Sequence, residues 1–173
     1  ANGMDGKRVL KYLDAIDALQ RKHRDIRILK ASELSIRADG SLDYPDSILK
    51  RFDVVIASIH SGFKQPRDVM TDRLVKALSN PYVTIWGHPT ARRINAREPI
   101  DVDLDEVFSL CAERGVWVEV NSNPQRLDAR DVHVRQVLSA GCRLVIDTDS
   151  HATDHLGFME FGIATARRGW ASA

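Results

Sequence analysis

The sequence predicts an α/β protein assembled from parallel βα units. Three observations lead to that class. Five short runs of β-branched and apolar residues alternate with amphipathic stretches of helical period. The segments between the runs are long enough for crossover helices, as parallel strands require. Each apolar run also ends on chemistry-bearing polar side chains: Glu33, His60, His88, Asn121 with Asn123, and Asp149 with His151. Successive exits lie 27, 28, 33 and 28 residues apart, each about one βα unit. In a βα barrel such strand ends face one mouth. In an open doubly wound sheet they line one edge.

The elements follow in order. "VLKYLDAIDALQRK" reads as an amphipathic helix, with Val9, Leu10, Leu13, Ile16 and Leu19 at helical spacing. "IRILKASEL" reads as a strand. "PDSILKRF" reads as a short helix with proline in its first turn. "DVVIASIH" is a strand, and "PRDVMTDRLVKALSN" a helix with Met70, Leu74, Val75 and Leu78 on one face. "YVTIWGH" is a third strand. "DVDLDEVFSLCAERG" is a helix, acidic at its start and stopped by Gly115. "VWVEVNSN" and "CRLVIDTDSH" are strands, separated by the helix "DARDVHVRQVLSAG", and "LGFMEFGIATARRG" is the closing helix.

The bulk numbers bound the class without choosing a function. The chain has 173 residues, is 43% hydrophobic and 28% charged, and carries a net charge of +1. That length suits one domain with a sizeable core. The near-neutral charge argues neither for nor against nucleic acid, because a basic face can hide within a balanced total. The two cysteines, Cys111 and Cys142, lie in helix or helix-end contexts. They read as small core residues in a reducing compartment. No apolar run approaches membrane length, so no membrane partner and a cytoplasmic location are expected. The sequence begins without methionine and enters a helix almost at once, from which a fragment of a longer chain is expected.

Three histidines, a glutamate and an aspartate converging on one mouth make a metal site. Imidazoles with carboxylates suit zinc, manganese or iron. Asp149 and His151, at i and i+2, would share a face if the strand stays extended to its end. Glu33 could bridge two ions, and such a centre would activate water and clamp a phosphate. Taken singly, His60 before Ser61-Gly62 or His88 between Gly87 and Pro89 more often serves a turn, and Glu33 could cap a helix; the joint pattern favours ligands. His23 reads as solvated, and His133 as structural or exposed. His155 is open to an accessory role, and Asp147 could face either side. From Lys64 to Glu98, seven basic residues stand against three acidic ones. Arg73 and Lys76 suit a solvated helix face. Arg92, Arg93 and Arg97, with Lys64, suit a phosphate backbone, and Asn121 and Asn123 are candidates for the same substrate.

The segments "DGSLDYPDSILKRFDVVIASIHSGF", "NPYVTIWGHPTARR", "VEVNSNPQRLD", "DTDSH" and "FGIATARRGW" resemble the polymerase and histidinol phosphatase (PHP) domain. The resemblance is best to the version fused at the C-terminus of bacterial and archaeal X-family DNA polymerases, and it covers nearly the whole chain. It implies a distorted (βα)7 TIM-like barrel with two to three ions of zinc, manganese or iron. It also implies manganese-stimulated 3′→5′ exonuclease and related phosphoesterase activity in DNA repair. On that resemblance the metal ligands fall on Glu33, His60, His88, Asp149 and His151, of which Glu33, His60, Asp149 and His151 would also carry the catalysis.

The departures matter. The family's opening His-x-His motif, the acidic ligand after it and its Thr-Asp-His motif would precede Ala1. Where relatives carry Glu-Val-Asp, this chain has Glu33-Leu34-Ser35. Residues 1–173 are therefore expected to form a single, N-terminally truncated PHP-like domain lacking its first βα units. Such a domain would have unpaired sheet edges, one ion held through Glu33, His60 and His88, and weak or absent activity in isolation. The expected partners are DNA 3′ ends, single-stranded or gapped, and polymerase modules of the same parent chain. Two rivals remain: a phosphatase for small monoesters such as histidinol phosphate, and a degenerate domain that supports a polymerase structurally.

Overall fold

The structure, a computed structural model, describes residues 3–172. Ala1, where the absent methionine was noted, lies outside the described residues, as do Asn2 and Ala173. Helix α1 (Gly6–Lys22) starts at Asp5, whose side chain accepts from the Arg8 amide at 2.8 Å. It buries Val9, Leu13 and Ile16, whereas Leu19 is left exposed near its end. The chain then enters β1 (Ala31–Ser35), α2 (Asp46–Leu49), β2 (Val54–Ser58), α3 (Arg67–Leu78) and β3 (Ile85–Trp86). It continues through α4 (Leu104–Arg114), β4 (Trp117–Asn121), α5 (Asp131–Ser139) and β5 (Leu144–Asp147). A 3₁₀ segment (Thr153–Phe158) leads into α6 (Met159–Arg168).

All five strands are parallel, in the order β1-β2-β3-β4-β5. A doubly wound sheet would reverse its strand order at a switch point. Strictly sequential order is that of a barrel wall. Glu33, in the middle of β1, lines the same cleft as Asp147, at the end of β5, so the sheet curls its two outer strands towards each other. The main core lies between the sheet and α3 and α4. Leu34, Val55, Ala57, Met70, Leu74, Leu78, Trp86, Phe108 and Val118 are almost wholly buried there. Trp86 and Phe108 meet in a tilted pair at 5.8 Å.

Several elements differ from the sequence reading, each for a local reason. The stretch before β1 stays out of the sheet because the Gln20 side chain captures it. That amide donates to the carbonyls of His23 and Ile26 and accepts from the Ile28 amide. Strand β3 shrinks to two residues because the Thr84 hydroxyl accepts from the Val55 amide and donates to the Val55 carbonyl. Gly87 then brings the backbone against β2, where a Cβ would stand 2.3 Å from Ser58 Oγ. Strand β5 stops at Asp147, whose carboxylate accepts from the Asp149 amide at 3.1 Å. Asp149 takes a left-handed φ of 47°. Asp149 and His151 therefore do not share the face of an extended strand, contrary to expectation.

Arg73 is the clearest correction on the helices. Instead of a solvated face it is 2% exposed. Its guanidinium donates to the carbonyls of Ile36, Arg37 and Ser61 and to Gln65 Oε1. It thereby ties the loop after β1 to the loop after β2, immediately behind Glu33 and His60. His133 is buried, which leaves the structural alternative. Both cysteines are free and buried. Burial pushes the Cys111 thiol up to about 12, and Cys142 Sγ donates to the Phe108 carbonyl at 2.9 Å.

Candidate metal centre

Strand β1, which runs two residues past Glu33 rather than ending there as expected, and the exits of β2 and β3 bring Glu33, His60 and His88 together, with one ligand atom from each inside a 4.8 Å cluster. The parallel register explains this. Glu33 pairs with Ile56 and Ile56 with Ile85, so three consecutive strands finish level with one another. His60 Nε2 lies 3.2 Å from Glu33 Oε1, and His88 Nε2 lies 3.0 Å from the same oxygen. The two imidazoles meet edge to face at 5.3 Å. Burial would push the Glu33 carboxyl up, but the contacts and charge of His60 and His88 hold it far below the usual carboxylate range.

These side chains fit a metal ion. His88 is 2% exposed, and neither of its ring nitrogens has a hydrogen-bond partner of good geometry. An imidazole with both nitrogens orphaned inside a protein is costly; a cation beside Nε2 would satisfy one of them. On His60, Nδ1 lies 3.1 Å from Ser35 Oγ, an arrangement that leaves Nε2 free for a metal when Nδ1 carries the proton. Two imidazoles and one carboxylate with room for a further ligand form the donor set of catalytic zinc sites.

The second half of the mouth is different in character. A cleft of about 400 Å³ is lined by Glu33, Ile56, Glu119, Asp147, Thr148, Asp149, Ser150 and His151. Glu119 is buried on β4, directly across the register from Val145, while Asp147 ends β5. Burial pushes the Glu119 carboxyl well above its ordinary value, and the negative charge of Asp147 adds to it. Burial raises Asp147 as well. Asp149 Oδ2 accepts from Asn121 Nδ2 and from Arg126 Nε, both at 3.2 Å. His151 is largely exposed, and its Nδ1 lies 2.8 Å from the Asp149 carbonyl oxygen. Asp149 and His151 thus lie at the same mouth as Glu33 but outside the compact cluster of three.

The polar candidates divide. Asn121 is fully buried and donates to Glu119 and Asp149, which places it behind the cleft. Asn123 is half-buried and accepts from the Gln125 amide. Arg92 donates to the Arg126 and Leu127 carbonyls. Arg97 donates to the Ala91 carbonyl and stacks 3.8 Å from the centre of the Phe63 ring. Arg93 is exposed and donates to Gln125 Oε1, while Lys64 is exposed. The sequence reading passed over Glu119, Asp128 and Arg126. A charged residue in the middle of the apolar run "VWVEV" was the one signal available for Glu119.

The fold and this donor set define a class: an α/β domain with a metal-type site at the C-terminal mouth of parallel strands. No protein-family model matches the chain. It is 42% identical over 170 residues to the DNA polymerase/3′-5′ exonuclease PolX of Bacillus subtilis, covering 98% of this chain and 30% of that protein. It is 30% identical over 167 residues to a "Probable phosphatase" of Thermoanaerobacter sp., covering 91% of this chain and 66% of the relative. The chain therefore spans about a third of the first relative's length and about two thirds of the second's. Among solved structures, histidinol phosphate phosphatase from Lactococcus lactis, complexed with zinc, L-histidinol and phosphate, superposes with a TM-score of 0.62. That match is 18% identical and covers 93% of this chain and 74% of that one, so it supports the fold alone. The chain belongs to the polymerase and histidinol phosphatase (PHP) family. The distorted-barrel expectation agrees with that membership and with the sequential parallel sheet.

Proposed function

We propose that this chain is a metal-dependent phosphoesterase domain that processes DNA 3′ ends, working beside polymerase modules of one parent protein. The observation that carries the reading is the Glu33–His60–His88 donor set, with its buried His88 imidazole, whose ring nitrogens make no hydrogen bond of good geometry. Likeness to the B. subtilis polymerase/exonuclease over nearly the whole chain supports the choice of DNA. In this reading Glu33, His60 and His88 hold one ion, zinc, manganese or iron, and Asp149 and His151 contribute to a further one. A bound ion would supply a nucleophilic water at neutral pH and neutralise phosphate charge. The protein's own part is to hold Glu33 ionised, to fix His60 through Ser35, and to keep Asp149 Oδ2 tied to Arg126 and Asn121. Lys64 and Arg93, the exposed cations near the loops after β2 and β3, are the best placed of the basic set to meet a phosphate backbone. Arg92 and Arg97 support those loops through backbone carbonyls.

A second reading, hydrolysis of small phosphate monoesters, is favoured by the relatives named phosphatases and by the compact cleft between β1 and β5. One experiment separates them. The full chain, supplied with manganese or zinc, is assayed on a single-stranded oligonucleotide with a free 3′ hydroxyl and on a small aryl phosphate, beside His60→Ala. Release of nucleotides in preference to aryl phosphate hydrolysis, lost in the variant, supports the DNA reading. The reverse preference supports the monoesterase, and bound metal without hydrolysis of either substrate points to a structural domain.

A further inference from the structure

The loop that presents His88 holds an unfavourable backbone conformation, and two buried carboxylates grip it. His88 has a φ of 26° and Ala91 a φ of 52°, both on the left-handed side where only glycine is at ease. The surroundings must enforce such a geometry. From one side, the Glu119 carboxylate accepts from the His88 amide. From the other, Asp128 accepts from the Thr90 amide at 3.0 Å and from the Thr90 hydroxyl at 2.9 Å. Both carboxylates come from one rigid piece. Residues 121 and 128 form an antiparallel bridge, and the Ala129 amide donates to the Glu119 carbonyl, so the segment after β4 folds back along it. Asp128 is fully buried, yet no cation lies within ion-pair distance of it among the described residues. Its partners are the donors of Thr90. A buried carboxylate directed at a loop's backbone and hydroxyl, with no salt bridge to stabilise it, costs more as a packing element than an apolar residue would.

We propose that Asp128 and Glu119 are positioning residues that clamp residues 88–90 and so aim the His88 imidazole at the Glu33–His60 pair; the inference rests on His88 being a metal ligand. Asp128, through Thr90, fixes the far end of the turn, and Glu119 fixes its start. Releasing the clamp lets the turn relax towards ordinary φ values and swings the ring off the common oxygen of Glu33. Neither carboxylate touches the ion in this account.

The test is a titration of the full chain with zinc alone, and then with cobalt, whose visible spectrum reports the ligand shell. Asp128→Ala should weaken zinc binding about 10- to 100-fold and alter the cobalt spectrum. The milder Thr90→Val should weaken it by up to about tenfold, and Thr90→Ser, which keeps the hydroxyl, should bind as the parent does. Should Asp128→Ala prevent folding, the Thr90 pair carries the test, with the melting temperature of each metal-free variant confirming that it is folded. Unchanged affinity and an unchanged cobalt spectrum in Thr90→Val and Asp128→Ala, while His88→Ala loses the ion, would overturn the clamp and leave the ligand reading intact. If His88→Ala itself binds zinc as the parent does, the ligand reading fails and the clamp with it.

Discussion

The two halves of the mouth reach a candidate metal site by opposite means. On β1–β3, two imidazoles surround one carboxylate that is strongly held in its ionised form, and the donors already lie within 4.8 Å. On β4–β5, Glu119, Asp147 and Asp149 crowd one another, burial and neighbouring negative charge favour the protonated forms of Glu119 and Asp147, and Asp149 is already paired with Arg126. The first half is preorganised for a cation. The second half is electrostatically frustrated without one. Positive charge placed between Glu119, Asp147 and Asp149 would relieve that repulsion, whereas the first half needs an ion mainly to satisfy His88.

The largest expected effect is the loss of the first half. His88→Ala or Glu33→Gln should lower zinc affinity at least about 100-fold, read by competition with a chelating dye; equal affinity would mean the ions bind elsewhere. Next in size is the metal's effect on stability. Zinc at about 100 times its dissociation constant should add about 2.7 kcal/mol, or about 5–10 °C in melting temperature. The same addition should do little for Glu33→Gln. A third contrast uses a group beneath the second half that takes no part in either site. Burial lowers His133 to about 4, with Arg130 and Arg92 acting in the same direction. The folded state therefore keeps this imidazole neutral, while the unfolded chain protonates it near its ordinary value. Stability should be complete above about pH 6.5 and fall by about 2 kcal/mol as the pH drops towards 4. Urea titrations of His133→Gln should lack that part of the slope. The smallest effect sharpens the comparison itself. Arg126→Met should reduce phosphoesterase turnover about tenfold, by freeing Asp149, without changing the affinity of the first half for zinc. A parallel loss of zinc would show that the two halves are one unit.

How much of this was legible depended on whether a residue's role follows from its place in a period. His60 and His88 stand just beyond their strands and Glu33 within β1, and the register of parallel strands brings these positions level, so the sequence spacing carries directly into space. The parallel βα repeat was legible for the same reason, whereas the spacing alone left the barrel and the doubly wound order open and the sequential order came from the structure. Asp149 and His151 were legible as part of the mouth but not in their geometry, because Asp147 captures the Asp149 amide and turns the chain out of the strand. Glu119 and Asp128 were passed over because their partners are backbone and hydroxyl donors 31 and 38 residues away, which no local pattern records. Arg73 misled most. Charge alone suggested a solvated face, but its guanidinium is buried against loop carbonyls; Arg92 and Arg97, partly buried, also reach loop carbonyls. A buried arginine and a phosphate-binding one look alike in sequence.

The central claim is that the strand-exit cluster is a metal site, and its most direct test is metal content by mass spectrometry on the chain purified without chelators, beside His60→Ala. The account predicts about one or more equivalents of zinc, manganese or iron, reduced in the variant. Metal-free protein that takes up no ion on reconstitution, or a variant that retains its metal in full, would contradict it.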